Sequence, residues 1–527
     1  VSESQRPGWR RAWALAPIGL AVLAAALRLP NLATRGTWDA DQGHDMLVLR
    51  ALVRDGVVPL LGPPTSIGDV HHGALYYYLL SPAAFLTGGD SPMAVAALIA
   101  LAGIAAVVVT WWLAKSIGGP VAGLVAGLAM AVSTAAIDES TFIWNPNLIA
   151  LSSAIALAGA WRAWTTRRPR WWLLAATGTA VTMQCHVLGV TMLPIVAALF
   201  VADLRRRPAG PERRTVWRFG WAGLAIIAAS FLPLVIHELT SDFSEVHAAI
   251  DYLGSGGGAP TLGPIVRVLV IGVRVLSWPL TGLLIDAGWV ALVAAATVIA
   301  LTIWVARSGS GHEREAGRWL GVGLAWTAVA LAFLSPSLAT IVPGLPNDHY
   351  HAFADPMVFT LVGIGAAALW RLGEGQDWAP RLVALGRIGA GAGLAAVLAW
   401  NLAHESPAIH PDGGFPAAQS AAARITSVAD GQPIVVRSLP IFKTGEAYTY
   451  PLVLAGAALQ ADGGSGPPPT SGTTVVVVCD SLFEAVMGAR CGGPAEAALA
   501  PPSVFGDPVD RFIAAPGRTI SIYRSVP

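Results

Sequence analysis

The sequence predicts a polytopic α-helical membrane protein that ends in a small α/β domain. Three observations carry this prediction. The 527 residues are only 12% charged and 54% hydrophobic, about half the charge of a soluble globular protein. Mean hydropathy is +0.59, too apolar for a soluble surface and the opposite of a disordered chain. Long apolar runs alternate with short arginine-bearing segments until the last stretch of chain, which breaks the pattern. The net charge of +1 singles out no partner, and no nucleic-acid partner is expected. Three cysteines exclude a disulfide-rich or cysteine-rich metal scaffold.

A spanning helix needs about 17–25 mostly apolar residues. The runs that qualify are 12–32, 92–113, 119–136, 146–164, 171–184, 187–203, 217–236, 286–306, 318–336, 353–371 and 383–403, about eleven in all. The first follows Arg10-Arg11 and resembles a signal peptide, but the apolar runs behind it favour a first membrane anchor. The short pair 171–184 and 187–203 reads as two tilted helices meeting at a kink.

Lys and Arg set the orientation. With a cytoplasmic N-terminus, the inner segments hold nineteen of them, from Arg6 to Arg381, and the outer loops between helices hold five: Arg35, Arg50, Arg54, Arg267 and Arg274. An odd helix count then puts the C-terminal end outside. Residues 73–88 are apolar enough to tempt a further span, which would invert everything downstream. They are therefore read as an interfacial helix with its tyrosines at headgroup level, and 260–283 is read likewise. The domains expected are 1–403, membrane-embedded with a first outer loop at 33–91, and 404–527, extracytoplasmic. The latter shows β-type runs at Pro433–Arg437, Thr474–Cys479 and Thr519–Tyr523, with helical stretches near 415–429 and 447–460. Cys479 and Cys491 face an oxidising compartment in this scheme, either bonded or as two free thiols.

Ten of eleven histidines then fall on the outer side, with His312 alone inside. Acidic clusters gather there too, several at helix mouths, where a charge is costly unless used or paired. The richest stretch is Thr37-Trp-Asp-Ala-Asp-Gln-Gly-His-Asp45. A carboxylate here suits a general base that deprotonates an acceptor hydroxyl. Asp39, Asp41 and Asp45 are equally compatible with a divalent cation, Mg2+, Mn2+ or Ca2+, given oxygen partners from elsewhere. A polar hydrated loop is the plain alternative.

Further motifs follow in order: Leu60-Leu-Gly-Pro-Pro-Thr-Ser66, Val70-His-His-Gly-Ala-Leu-Tyr-Tyr-Tyr78, Asp138-Glu-Ser-Thr-Phe-Ile-Trp-Asn-Pro-Asn147, Gln184-Cys-His186, Pro233-Leu-Val-Ile-His-Glu-Leu239 and Asn347-Asp-His-Tyr-His351. Each lies at an outer helix end. Together they resemble the GT-C class of membrane glycosyltransferases, in the branch of the aminoarabinose transferases and protein O-mannosyltransferases (PMT/ArnT-like), over roughly residues 10–370. The resemblance implies a GT-C fold and a sugar transfer from a polyprenyl-phosphate donor to an envelope glycan, glycolipid or protein, with inversion.

Residue by residue, Asp41-Gln42 stands where the family carries its acidic pair, which makes Asp41 the candidate base or acceptor-positioning group. Asp45 matches the second Asp of that motif, and Asp39 and His44 flank it as substrate-binding candidates. His72 replaces a lysine that contacts donor phosphate in relatives, which weakens the charge at neutral pH, and His71 is placed to share the task. Tyr76 belongs to the same motif, in which Ala74 replaces a proline. Asp138 and Glu139 match the second acidic position. The family's arginine near Thr141 is missing, leaving its task to Arg50, Arg54 or Arg28. Asn145 reads either as the N-cap before a Pro at N1 or as a substrate contact. His186 is a site residue or an interfacial one. His237-Glu238 ends a span as in the family, and His349-Tyr350, ahead of Asp355-Pro356, matches an aromatic that holds phosphate or sugar. A flippase of lipid-linked sugars is the alternative, but it prefers polar groups near the midplane and internal repeats.

Overall fold

A computed structural model describes residues 7–65, 70–254, 262–282, 287–339, 350–372, 380–404, 412–441, 443–460 and 472–524. In chain order the helices up to Leu454 are α1 (Pro7–Arg28), α2 (Ala40–Arg54), α3 (Leu75–Thr87), α4 (Pro92–Val132), α5 (Thr134–Asp138), α6 (Ile149–Thr166), α7 (Trp171–Cys185), α8 (Met192–Arg206), α9 (Pro211–Ser230), α10 (Leu232–Thr240), α11 (Ser244–Gly254), α12 (Pro264–Thr281), α13 (Gly288–Ser308), α14 (Gly311–Leu334), α15 (Asp355–Trp370), α16 (Pro380–Ala403), α17 (Gly414–Ala429) and α18 (Glu446–Leu454), and short helical turns follow. The strands are β1 (Leu61–Pro64), β2 (His71–Gly73), β3 (Ile434–Leu439), β4 (Thr474–Asp480), β5 (Asp510–Ala515) and β6 (Arg518–Arg524).

Among the described residues, eight helices are each long and apolar enough to cross a membrane, or nine if the bent pair α9–α10 is one span. The sequence count of about eleven differs for stated reasons. The apolar part of α1, Trp13–Arg28, and the 15-residue α7 are too short by that measure. α4 is a 41-residue helix only nominally, because Gly119 breaks it with φ +84°. Its second arm doubles back on the first: a Cβ on Gly127 would lie 3.1 Å from the Trp111 Cβ. α15 packs along α4 closely enough that a Cβ on Gly363 would meet the Ala122 carbonyl at 2.3 Å. Small residues let these backbones approach where lipid gives no hydrophobic drive.

Contacts sort the helix ends onto two faces. On one, Arg28 donates to the Ala131 carbonyl at 2.9 Å, Thr134 N–H donates to Asn401 at 2.8 Å, and Asn145 donates to the Cys185 carbonyl at 2.6 Å. On the other, Trp164 donates to Glu315 at 3.0 Å, Arg318 donates to the Ala306 carbonyl at 3.1 Å, and Arg371 pairs with Glu313. The second face carries the arginine-rich short loops together with Glu313 and Glu315, and the first carries Asp41, His72, Glu139 and His186.

α12 passes the length and composition test for a span, yet its polar contacts are with helix ends on the first face. Arg274 donates to the Leu338 carbonyl, the Pro279 carbonyl accepts from Ser133, and the Thr281 carbonyl accepts from Trp400. α3 corrects one expectation. Tyr76 and Tyr77 do not face the headgroups: both are buried inside the protein and donate to Asp45 at 2.7 and 2.9 Å. A hydroxyl that reaches an internal carboxylate gains more than one left at the interface. The face of α3 turned to the surroundings carries Phe85 and Leu86 instead.

Near the C-terminal end, four strands form one sheet in the order β3-β4-β6-β5, with β3 and β4 parallel and the other pairs antiparallel. Its central strand β4 is buried throughout. β5, which the sequence does not signal, forms the edge. Cys479 and Cys491 form a disulfide. Trp38 docks this region onto α2, its ring 4.6 Å from Phe415 and its indole N–H 2.8 Å from the Ala447 carbonyl.

Candidate active site

The first turn of α2 organises the site. Asp39 caps the helix, its Oδ1 accepting from the Ala40 N–H at 2.8 Å, and Gln42 Oε1 accepts from the Asp39 N–H at 2.8 Å. This capping box sets Asp41 at the positive end of the helix dipole. Gln42 Nε2 donates to the Ile143 carbonyl at 2.7 Å, tying α2 to the Phe142–Trp144 segment. Asp41 is exposed to solvent yet has Asp39, His44, Trp144 and Lys443 around it. Burial and the neighbouring Asp39 raise its pKa, opposed by Lys443, His44 and a hydrogen bond from the Trp144 side chain.

Trp144 begins a row of rings. It lies 6.0 Å from Phe142 and 5.6 Å from Tyr350. Tyr350 stacks on His186 at 4.6 Å, and His186 lies 4.7 Å from His72. His72 Nδ1 accepts from the Val187 N–H at 3.3 Å, which assigns its proton to Nε2. Burial, with His71 beside it, presses its pKa down to about 3, so His72 is a neutral donor. His186 Nδ1 likewise accepts from the Leu188 N–H at 3.2 Å.

Past Tyr350 the row meets α12. Arg274 is buried, and its Nε lies 3.2 Å from His351 Nε2. One turn on, Trp278 donates to Glu139 at 2.8 Å. Burial raises the Glu139 pKa, with Asp355 sharing a hydrogen bond. Arg267 is buried over the Phe333 ring, and its Nε has no partner among the described residues.

The structure thus brings Asp41, His72, His186, Tyr350 and Glu139 together, with half-buried Asp138 next to Glu139 at the end of α5. Other expected residues are committed elsewhere. Asp45 and Tyr76 are bonded to one another at 0–1% exposure, which leaves neither open to a substrate. His44 lies 3.1 Å from Glu446, which holds the imidazole pKa up against the cost of burial. His71 lies 2.8 Å from Glu245. Glu238 accepts from the Glu245 and Val246 N–H groups at 3.1 Å each, and half-buried His237 lies 3.1 Å from Ser244. Asn145 is no N-cap: Trp144 holds that position, and buried Asn145 opens the turn while its amide binds Cys185. His349, Asn347 and Asp348 lie outside the described residues.

Sequence reasoning missed Arg274, Trp278 and Lys443 as site residues. An arginine inside an apolar run is costly, and that signal marked Arg274. Of the three candidates for the missing arginine, Arg28 is the one beside the second acidic position, donating to Ser140 at 3.0 Å. The carboxylates do not fit a metal. Asp39 lies 2.6 Å from Lys443 and 3.5 Å from Arg518, Asp45 is spent on tyrosines, and no group of three His, Cys, Asp or Glu converges among the described residues.

Residues 71–237 match the family model of the dolichyl-phosphate-mannose-protein mannosyltransferases. The chain is similar in structure to ArnT from Cupriavidus metallidurans bound to undecaprenyl phosphate, with 98% of each chain covered, 12% identity and a TM-score of 0.57. The apo state of that protein gives 0.56. The apo oligosaccharyltransferase of Archaeoglobus fulgidus gives 0.50 at 13% identity, over 95% of this chain and 73% of that one. No curated protein matches the chain in sequence. The shared fold and the apolar helices agree: the chain is a membrane protein with the GT-C fold, and its residues 71–237 are similar to the mannosyltransferase family.

Proposed function

We propose that the chain is a glycosyltransferase that moves a sugar from a polyprenyl-phosphate donor to an acceptor hydroxyl, on the face that carries Asp41. The single observation behind this reading is the continuous row from Asp41 through Trp144, Tyr350 and His186 to His72, with buried Arg274 of α12 beside it. A proton acceptor stands at one end and phosphate-compatible donors at the other. Positive charge bias puts the arginine face in the cytoplasm, so the site is extracytoplasmic.

The donor phosphate sits near the His72 Nε2–H and the guanidinium group of Arg274, which balances its charge as it leaves. Aromatic rings suit the apolar faces of a sugar. Asp41 takes the acceptor proton as the acceptor oxygen bonds to the anomeric carbon and the bond to phosphate oxygen breaks. One displacement inverts the anomeric centre. The acceptor is an envelope glycan, a glycolipid or a protein.

Mass spectrometry of envelope glycans from cells with and without the gene tests the reading. Loss of one glycosyl residue, restored by the wild-type gene and not by Asp41→Asn at equal expression, supports it. Identical glycans contradict it.

A further inference from the structure

Only Lys115 and Lys443 are lysines. Lys115 packs over the Trp111 ring. Lys443 lies between β3 and α18, with its Nζ 2.6 Å from Asp39 Oδ2 and 3.2 Å from Asp480 Oδ2. Arg518 on β6 is 3.5 Å from Asp39 and 3.7 Å from Asp412, and donates to the Trp38 carbonyl at 2.6 Å. Both cations reach the start of α2 from the far end of the chain, Lys443 across a separation of 404 residues. The same segment is seated tightly, since a Cβ on Gly43 would lie 2.1 Å from the Glu446 carbonyl oxygen.

This placement answers an electrostatic problem. Asp39 and Asp41 sit two residues apart in a crowded place, where like charges force one carboxyl to keep its proton. The helix dipole offers only about half a unit of positive charge. Lys443 offers a whole one, and Asp39 and Asp480 hold its pKa above the usual value despite the cost of burial. Asp41 faces Asp39 and His44 on its own helix, the Trp144 indole from the neighbouring segment, and Lys443 from the C-terminal region. Arg518, Asp412, Asp480 and Glu446 stand behind these groups.

We propose that Lys443 is a positioning residue: it neutralises Asp39 and clamps the first turn of α2, so that Asp41 is held ionised and ready to take a proton. The C-terminal region then completes the active site. This rests on the reading of Asp41 as the base.

Carbodiimide with glycine ethyl ester modifies protonated carboxyls, and peptide mass spectrometry reads the modification of Asp41 against pH in the full chain in nanodiscs. Lys443→Met moves the Asp41 midpoint up by about one pH unit, and Lys443→Arg leaves it near wild type. Asp39→Asn in the Met background brings it back. Asp39→Asn alone keeps an oxygen for the Ala40 cap and lowers the midpoint, which gives a readout should the Met variant not fold. An unmoved midpoint in either folded variant overturns the proposal. The acid limb of the pH–rate profile for sugar transfer follows the same order. Moved midpoints in a chain that transfers no sugar support the clamp and overturn the functional reading alone, so the two failures are distinguishable.

Discussion

Asp45 accepts from two tyrosine hydroxyls in a place closed to water, and burial raises its pKa to about 7. The folded chain therefore keeps a proton that the unfolded chain releases near pH 4. Stability from this group falls as pH rises from about 4 to about 7 and then levels. Asp45→Asn abolishes that slope, so between pH 4.5 and 7.5 the wild type should lose more Tm than the variant in detergent. Equal losses would show that Asp45 is ionised throughout. The motif containing Asp45 is legible in the sequence, but its role is not. Asp41 and Asp45 lie one turn apart on α2, and only the packing of α3 decides that one is open and the other closed. Lys443 was illegible as a site residue for a plainer reason, because nothing local links residue 443 to residue 39.

At the scale of elements, α12 shows the limit of hydropathy. Its 18 residues meet the composition of a span, and only its contacts with the ends of α5, α14 and α16 place it on the site face. It delivers Arg274 and Trp278 to His351 at one edge of the aromatic row. Arg274→Gln should weaken binding of polyprenyl phosphate by about tenfold or more, the value of one charge-assisted contact, and leave the Asp41 modification midpoint in place. Unchanged binding would remove α12 from the donor site. The break in α4 was legible because Gly119-Pro120 stops a helix by its own chemistry. β5 was not legible, because an edge strand with alternating exposure carries a weak apolar signal.

For the whole molecule, the sorting of helix ends onto two faces follows the distribution of arginine along the chain. That distribution was readable because each short loop carries its own charges. The joining of the C-terminal sheet to α2 was not readable, since it depends on Trp38, Phe415 and Tyr450 meeting across the fold. The central claim is that this assembly transfers a lipid-linked sugar with Asp41 as the base. Purified chain in nanodiscs, given polyprenyl-phosphate sugars and envelope extract as acceptor, tests it through the release of polyprenyl phosphate. Release matched by glycosylated acceptor, and lost by at least 100-fold in Asp41→Asn, the loss expected when a positioned base is removed (about 10²–10⁴), is the predicted result. Release that persists unchanged in Asp41→Asn would contradict the account.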